Sequence, residues 1–184
     1  DGSICSCPDE EVMDCAGVCG GTAIDCPGWQ DDPGAYQFTA TIVGGIVLNA
    51  GVQMGDVGDL FAAFDDDGNV RGIALQLSPP YGPYAGTPVF EMTLRSNYEG
   101  DNIHFQYFDA SEDSVLNIDE EYEFIISEMM GDIIDPITYN VSCSGGDGII
   151  DYCGICNGDN LTADCSSNSF LQNIYVQEGG IGTA

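Results

Sequence analysis

Phe90-Glu-Met-Thr-Leu-Arg95 and Ile103-His-Phe-Gln-Tyr107 decide how this chain folds. Phe90, Met92 and Leu94 alternate with Glu91, Thr93 and Arg95, while Ile103, Phe105 and Tyr107 alternate with His104 and Gln106. Successive side chains of a strand point to opposite faces, so a period of two marks a strand with one buried and one wet face. Phe38, Ala40 and Ile42 show the same habit against Thr39 and Thr41, and Tyr122, Phe124 and Ile126 continue it. Further strand candidates lie at 46–49, 59–64, 70–77, 114–118 and 137–141. Gly, Asn, Asp or Pro clusters separate most of them at intervals of about 8–15 residues, the rhythm of a sandwich. The Glu-rich 119–130 region comes nearest to a helix, yet its aromatic alternation favours strand. The expected fold is all-β, an Ig-like or jelly-roll-type β-sandwich over residues 35–141. Whether Ile46, Val47 and Leu48 face a core or a partner stays open.

The charge balance is extreme. The 184-residue chain holds 31 Asp and Glu against 2 Lys and Arg, a formal net charge of −29. Lysine is absent, and the two cations are Arg71 and Arg95. That balance rules out a nucleic-acid groove or an anionic-membrane binder, since both need clustered Lys or Arg to meet phosphate. Hydrophobic residues still make up 43% and aromatics 10%, which suffices for a core and is unlike a disordered chain. No apolar run approaches the ~18 residues of a membrane-spanning helix. Two carboxylates ~6 Å apart repel by ~0.7 kcal/mol even in water, and many such pairs erode a stability of only ~5–15 kcal/mol. Positive charge from outside is therefore expected, with Ca²⁺ as the candidate because it prefers oxygen ligands. A solvated acidic surface that needs no specific ion is the plainer alternative.

Nine cysteines sit at the two ends. Cys5, Cys7, Cys15, Cys19 and Cys26 precede the sandwich, and Cys143, Cys153, Cys156 and Cys165 follow it. Clustered in short Gly/Asp-rich segments, they fit small disulfide-stapled modules that lack a core of their own, in an oxidising, extracellular setting. Zinc fits less well: Cys153-Gly-Ile-Cys156 has no second CxxC at ribbon spacing, and the single His104 is far off in sequence. An odd number leaves one thiol free or paired with another chain. The expected organisation is an N-terminal cysteine-rich module (1–34), the sandwich (35–141), a C-terminal cysteine-rich module (142–168) and a strand-like tail (169–184). The chain starts at Asp1 without Met or an apolar leader, which fits a processed chain or a fragment.

The two ends echo one another. Asp14-Cys-Ala-Gly-Val-Cys-Gly-Gly21 and Asp151-Tyr-Cys-Gly-Ile-Cys-Asn-Gly-Asp-Asn160 share a Cys/Gly turn followed by an Asp-Cys pair, Asp25-Cys26 and Asp164-Cys165. These runs resemble the DCAGVCGG and DxCGxCxGDN repeats of large secreted, cysteine-rich modules that are often associated with calcium. Ala62-Ala-Phe64, Arg71-Gly-Ile-Ala74 and Tyr107-Phe-Asp-Ala-Ser111 are similar to stretches in β-sandwich modules of secreted multi-domain proteins. The resemblance implies an extracellular structural or adhesive role rather than a catalytic one. It departs in one respect: the cysteine runs flank the sandwich instead of standing in tandem, so the repeats' disulfide pairing is not carried over.

Asp65-Asp-Asp-Gly-Asn69 is the densest group of oxygen ligands. In a turn, Asp65, Asp67 and Asn69 can point inward together while Gly68 permits the bend. It is not an EF-hand, because Gly68 at the sixth position puts Ala63 first and Ala74 twelfth. The alternative is a solvated hairpin turn built of good turn formers. Asp147, Asp151, Asp159 and Asn160, with their backbone held by Cys143, Cys153 and Cys156, form a second metal candidate. Asp56 with Asp59, and Asp109 with Glu112 and Asp113, are weaker groupings. Asn140-Val-Ser142 and Asn160-Leu-Thr162 are N-glycosylation sequons, with Asn140 on an outward strand phase. No catalysis is expected: His104 lies on an outward phase, no Ser or Cys sits in a nucleophile elbow, and nothing singles out one pair of acids.

In the tail, Phe170, Ile174 and Val176 share one strand phase, and Leu171 and Tyr175 the other. Ten extended residues reach ~33 Å, enough to line a sandwich edge in the same chain or in a neighbouring one. Donated head-to-tail without closure, such a strand would build a filament. The expectation is thus an extracellular structural protein, a calcium-stabilised subunit of a fibre or surface layer made of copies of itself. The alternative is a calcium-dependent adhesin or carbohydrate-binding module with glycan partners.

Overall fold

The computed structural model describes residues 15, 19–21 and 26–142. The chain divides into a compact unit over Asp1–Ser142 and another over Cys143–Ala184. The second unit, with Cys143, Cys153, Cys156, Cys165 and the strand-like tail, lies outside the described residues, as do Cys5 and Cys7. Ten strands follow in chain order: β1 (Phe38–Asn49), β2 (Val52–Gln53), β3 (Leu60–Phe64), β4 (Val70–Ile73), β5 (Leu75–Leu77), β6 (Val89–Ser96), β7 (Asn102–Asp109), β8 (Ser114–Glu123), β9 (Met129–Met130) and β10 (Ile137–Asn140). Among the described residues there is no α-helix, only a 3-10 turn at Pro33–Ala35 capped by Asp32.

Two sheets form a β-sandwich. The first runs β10-β1-β6-β5, with β2 and β9 also on β1; the second runs β4-β3-β7-β8 and is antiparallel throughout. In the first sheet β1 is antiparallel to β2 and β6 but parallel to β9 and β10. The alternation seen in sequence sets the interior. Ala40, Ile42, Phe90, Met92 and Leu94 of the first sheet meet Phe61, Ala63, Ile103, Phe105 and Tyr107 of the second, all buried. Rings interlock across the gap, with Phe61 5.6 Å from Phe90 and 5.0 Å from Tyr139, and Phe105 4.9 Å from Tyr139. Each such side chain taken from water contributes roughly 1.5–3 kcal/mol. Ile46 and Val47 are buried and Leu48 half-buried, so this segment faces the chain's own interior.

Strands β6 and β7 are neighbours in sequence but belong to different sheets. The buried Ser96 makes the corner between them: its hydroxyl donates to Asp101 and accepts from the Tyr98 N–H at 3.0 Å. The 70–77 stretch is likewise one run split between sheets. Ile73 pairs with Ala62 of the second sheet and Leu75 with Glu91 of the first, and at the crossing the Ala74 N–H donates to Phe61 O at 2.8 Å. On the opposite flank Val141 bridges Ile118. The alternation expected through Ile126 stops early: β8 ends at Glu123, Phe124 is buried, and Ile126 is exposed in a turn. Strands β2 and β9, two residues each, are too short for periodicity to mark.

Gly44 and Gly131 let β1 change partners between β9 and β10. A Cβ on Gly44 would lie 2.3 Å from the Asp132 carbonyl oxygen, and one on Gly131 (φ +63) 2.3 Å from the Gly44 carbonyl oxygen. Backbone on both sides leaves nothing to move aside. The β1–β2 hairpin closes through Ala50 (φ 49) and Gly51 (φ 80), both left-handed, as its two-residue turn requires. Here a Cβ at Gly51 meets nothing within 4 Å. Gly44→Ala is therefore expected to cost about 2 kcal/mol or more and Gly51→Ala about 1 kcal/mol, measured by urea unfolding; equal costs would contradict the packing described.

Candidate functional site

The 65–69 turn joins β3 to β4, and Asp65 is the hub of its hydrogen bonds. Asp65 Oδ1 accepts the N–H groups of Asp67 at 3.0 Å and Asn69 at 2.8 Å. Oδ2 accepts from Asn69 Nδ2 at 2.9 Å, Arg71 Nε at 3.0 Å and Arg71 Nη2 at 2.9 Å. The same guanidinium reaches Asp101 at 3.3 Å and donates to Arg95 O at 3.2 Å. A cation at Asp65 would have to displace Arg71. Asp67 is exposed, and among the described residues no group of three or more His, Cys, Asp or Glu is arranged to hold a metal. Burial pushes the Asp65 carboxyl up, but the hydrogen bonds from Asn69 and Arg71 outweigh it and hold the group below its ordinary value of 3.8. The second metal group, Asp147, Asp151, Asp159 and Asn160, lies outside the described residues.

Asp59, read in sequence only as half of an acidic pair, is a structural staple. It accepts from Tyr107 Oη at 2.5 Å, the Ala110 N–H at 2.9 Å and the Asp56 N–H at 2.8 Å. Burial nonetheless pushes its carboxyl above the usual range, against those hydrogen bonds. Asp109 accepts from the N–H groups of Ser111 at 2.9 Å and Glu112 at 3.1 Å, closing the turn into β8.

Asn140 is exposed on β10, as its strand phase implies. Its side-chain amide donates to Glu120 at 2.7 Å, and the Ser142 hydroxyl donates to Asp119 at 2.6 Å. Asn160 lies outside the described residues, as do Phe170, Leu171, Ile174, Tyr175 and Val176. Of the cysteines, Cys15 and Cys26 are joined in a disulfide, and Cys19 is also disulfide-bonded.

The feature that sequence reasoning missed is a cleft of about 670 Å³ on the outer face of the second sheet. Register puts Phe64, His104, Gln106, Asn117 and Glu121 on this face, opposite in phase to Phe105 and Tyr107 in the core. Gln106 faces Asn117 across the ladder and donates to its carbonyl at 3.0 Å. His104 lies between two carboxylates, Nε2 2.5 Å from Asp66 and Nδ1 3.4 Å from Glu121. The hydrogen bond with His104 holds the Asp66 carboxyl below its ordinary range.

Trp29 forms one wall of the cleft, its ring edge-on to Phe64 at 5.2 Å and 71°. It stands on an arm, residues 26–37, that is tied down along its length. Cys26 and Trp29 pack on Phe108 and Ala110; Asp31 takes a two-pronged bond from Arg95, Nε to Oδ1 at 3.0 Å and Nη2 to Oδ2 at 2.9 Å. Tyr36 lies beneath the Arg71 guanidinium, 4.6 Å from ring centre to charge, and donates to Val70 O at 3.2 Å. The signal available in sequence was a single Trp inside a turn-rich segment and two amides on outward strand phases. Nothing in periodicity says that these meet.

Searches against protein-family models, curated proteins and solved structures return no match to this chain.

Asp65 supplies a pH test with a defined sign. A carboxyl held below its unfolded value stabilises the fold fully above that value and loses the contribution as pH falls through the lower folded one. The stability difference between the wild type and Asp65→Asn is expected to be full at pH 7 and to shrink below about pH 4, read by calorimetry at both pH values. A difference that widens in acid would contradict the assignment.

Proposed function

We propose that this chain is a non-catalytic, extracellular structural module, stabilised by disulfides and calcium and assembled with copies of itself into a fibre or surface layer. The observation that carries this reading is the fate of the two cations. Both guanidinium groups are consumed inside the fold, by Asp65, Asp101 and Asp31, so little is left to neutralise the remaining carboxylates. A surface of one sign repels its own copies, and assembly then calls for divalent cations between them. The Asp147, Asp151, Asp159 and Asn160 group is the expected calcium holder, because Arg71 already occupies Asp65. The Cys15–Cys26 disulfide supports an oxidising compartment, and the sequons at Asn140 and Asn160 suit a secreted glycoprotein.

The sandwich itself favours contacts through its ends over a long shared ladder. The β4-to-β5 crossing closes one flank, and the Val141–Ile118 bridge interrupts the outer edge of β8. Among the described residues, the edge stretches that a donated tail strand at 169–177 could pair with are short, Leu75–Leu77 and the start of β8 among them. Short or interrupted edges are how natural sheets limit uncontrolled pairing. In this reading the tail and the cysteine-rich modules make the subunit contacts, with the sandwich as the rigid spacer.

Electron microscopy of the purified full chain is expected to show filaments or sheets that form with rising concentration in Ca²⁺, disperse in EDTA plus reductant, and fail to form once residues 169–184 are deleted. A monomer unmoved by calcium, with a melting temperature unchanged by chelation and reduction, would overturn the proposal.

A further inference from the structure

We infer that the outer-face cleft of the second sheet is a carbohydrate site that takes a neutral pyranose between Trp29 and the Gln106–Asn117 pair. The inference is independent of self-assembly and gives the adhesive alternative a specific location. At about 670 Å³ the cleft falls among volumes usual for small-ligand sites, roughly 300–1,000 Å³.

Its polar groups have hydrogen-bonding capacity open to a ligand. Gln106 and Asn117 use one hydrogen bond between them, which leaves the Gln106 carbonyl oxygen and both Asn117 amide hydrogens without a partner among the described residues. An acceptor beside donors on a rigid ladder matches vicinal hydroxyls, each of which donates and accepts at once. Trp29, in the wall of the cleft, is only half-buried. An indole supplies an apolar face for the C–H side of a sugar ring together with a polar edge for a hydroxyl.

The charges around the cleft narrow the ligand further. Asp66 and Glu121 hold His104 between them, and the whole chain carries −29, so phosphate, sulfate or uronate would be repelled. The arm that carries Trp29 is held to the sandwich by the Asp31–Arg95 pair and by packing of Cys26 and Trp29 on Phe108 and Ala110, so little ordering is left to be done on binding.

The test uses the full chain and its single tryptophan as an internal probe. Tetrasaccharides of neutral glucans, mannan and galactan are titrated while Trp29 fluorescence is followed, with calorimetry as a second readout. At least one is expected to bind saturably, equally well with and without EDTA. Asn117→Ala and Gln106→Ala, both changes on the cleft face outside the core, are expected to weaken binding roughly tenfold. Trp29→Ala is expected to abolish it, and Glu91→Ala on the opposite sheet to leave it unchanged. Circular dichroism confirms that each variant, and the wild type in EDTA, is folded at the temperature of the titration. Overturning results are no saturable binding by any neutral oligosaccharide up to ~10 mM, binding that survives Asn117→Ala and Gln106→Ala, binding that EDTA removes, or a preference for charged sugars or polyamines. None of these outcomes depends on whether filaments form.

Discussion

Arg71 is the interaction on which the rest depends. Its guanidinium joins the β3–β4 turn through Asp65, the corner between the sheets through Asp101, and the N-terminal arm through the ring of Tyr36. With Arg95 it makes up the entire complement of Lys and Arg. In most proteins such a pair would be two among dozens of surface charges and worth little. Here each sits largely out of water, at 11% and 17% side-chain exposure, and each faces a carboxylate in near-ideal geometry. Removing one partner of a shielded pair strands the other, which costs far more than an exposed pair gains. The chain's scarce positive charge thus stands at the seams between arm, turn and corner.

Much of this architecture was legible in sequence. Phe90–Leu94 and Ile103–Tyr107 announce their strands because period two reports directly which side chains leave water. Periodicity is silent, however, on which strand becomes whose neighbour. That Ser96–Asp101 turns the chain from one sheet to the other, or that Ala74 is where one run crosses between them, follows from local corner chemistry with no repeating signature. Gly44 is a similar case: its meaning depends on Asp132, close in space but distant in sequence. The carboxylates are harder to read. The density of Asp65, Asp67 and Asn69 suggests a metal loop, and sequence spacing does not reveal that Arg71, two positions beyond it, pairs with Asp65.

The cleft extends the same lesson to function. Gln106 and Asn117 are unremarkable outward-facing strand residues until the ladder sets them opposite one another. Trp29 belongs by composition to the cysteine-rich start, yet it stands against the sheet, where the Asp31–Arg95 pair and packing on Phe108 and Ala110 hold the arm. The sandwich is a unit with a filled core and a pre-set aromatic wall on one face. In such a unit the core, the arm and the exposed face perform separate tasks.

Urea unfolding of the wild type and of Arg71→Met over a range of NaCl concentrations tests the central claim most directly. The account predicts that the wild type becomes more stable as salt screens its self-repulsion. It also predicts that the gap to Arg71→Met stays at about 3 kcal/mol, because the pair is shielded from the solution. A gap that is small at the outset, or that closes as salt is added in the way an exposed ion pair fades, would contradict it.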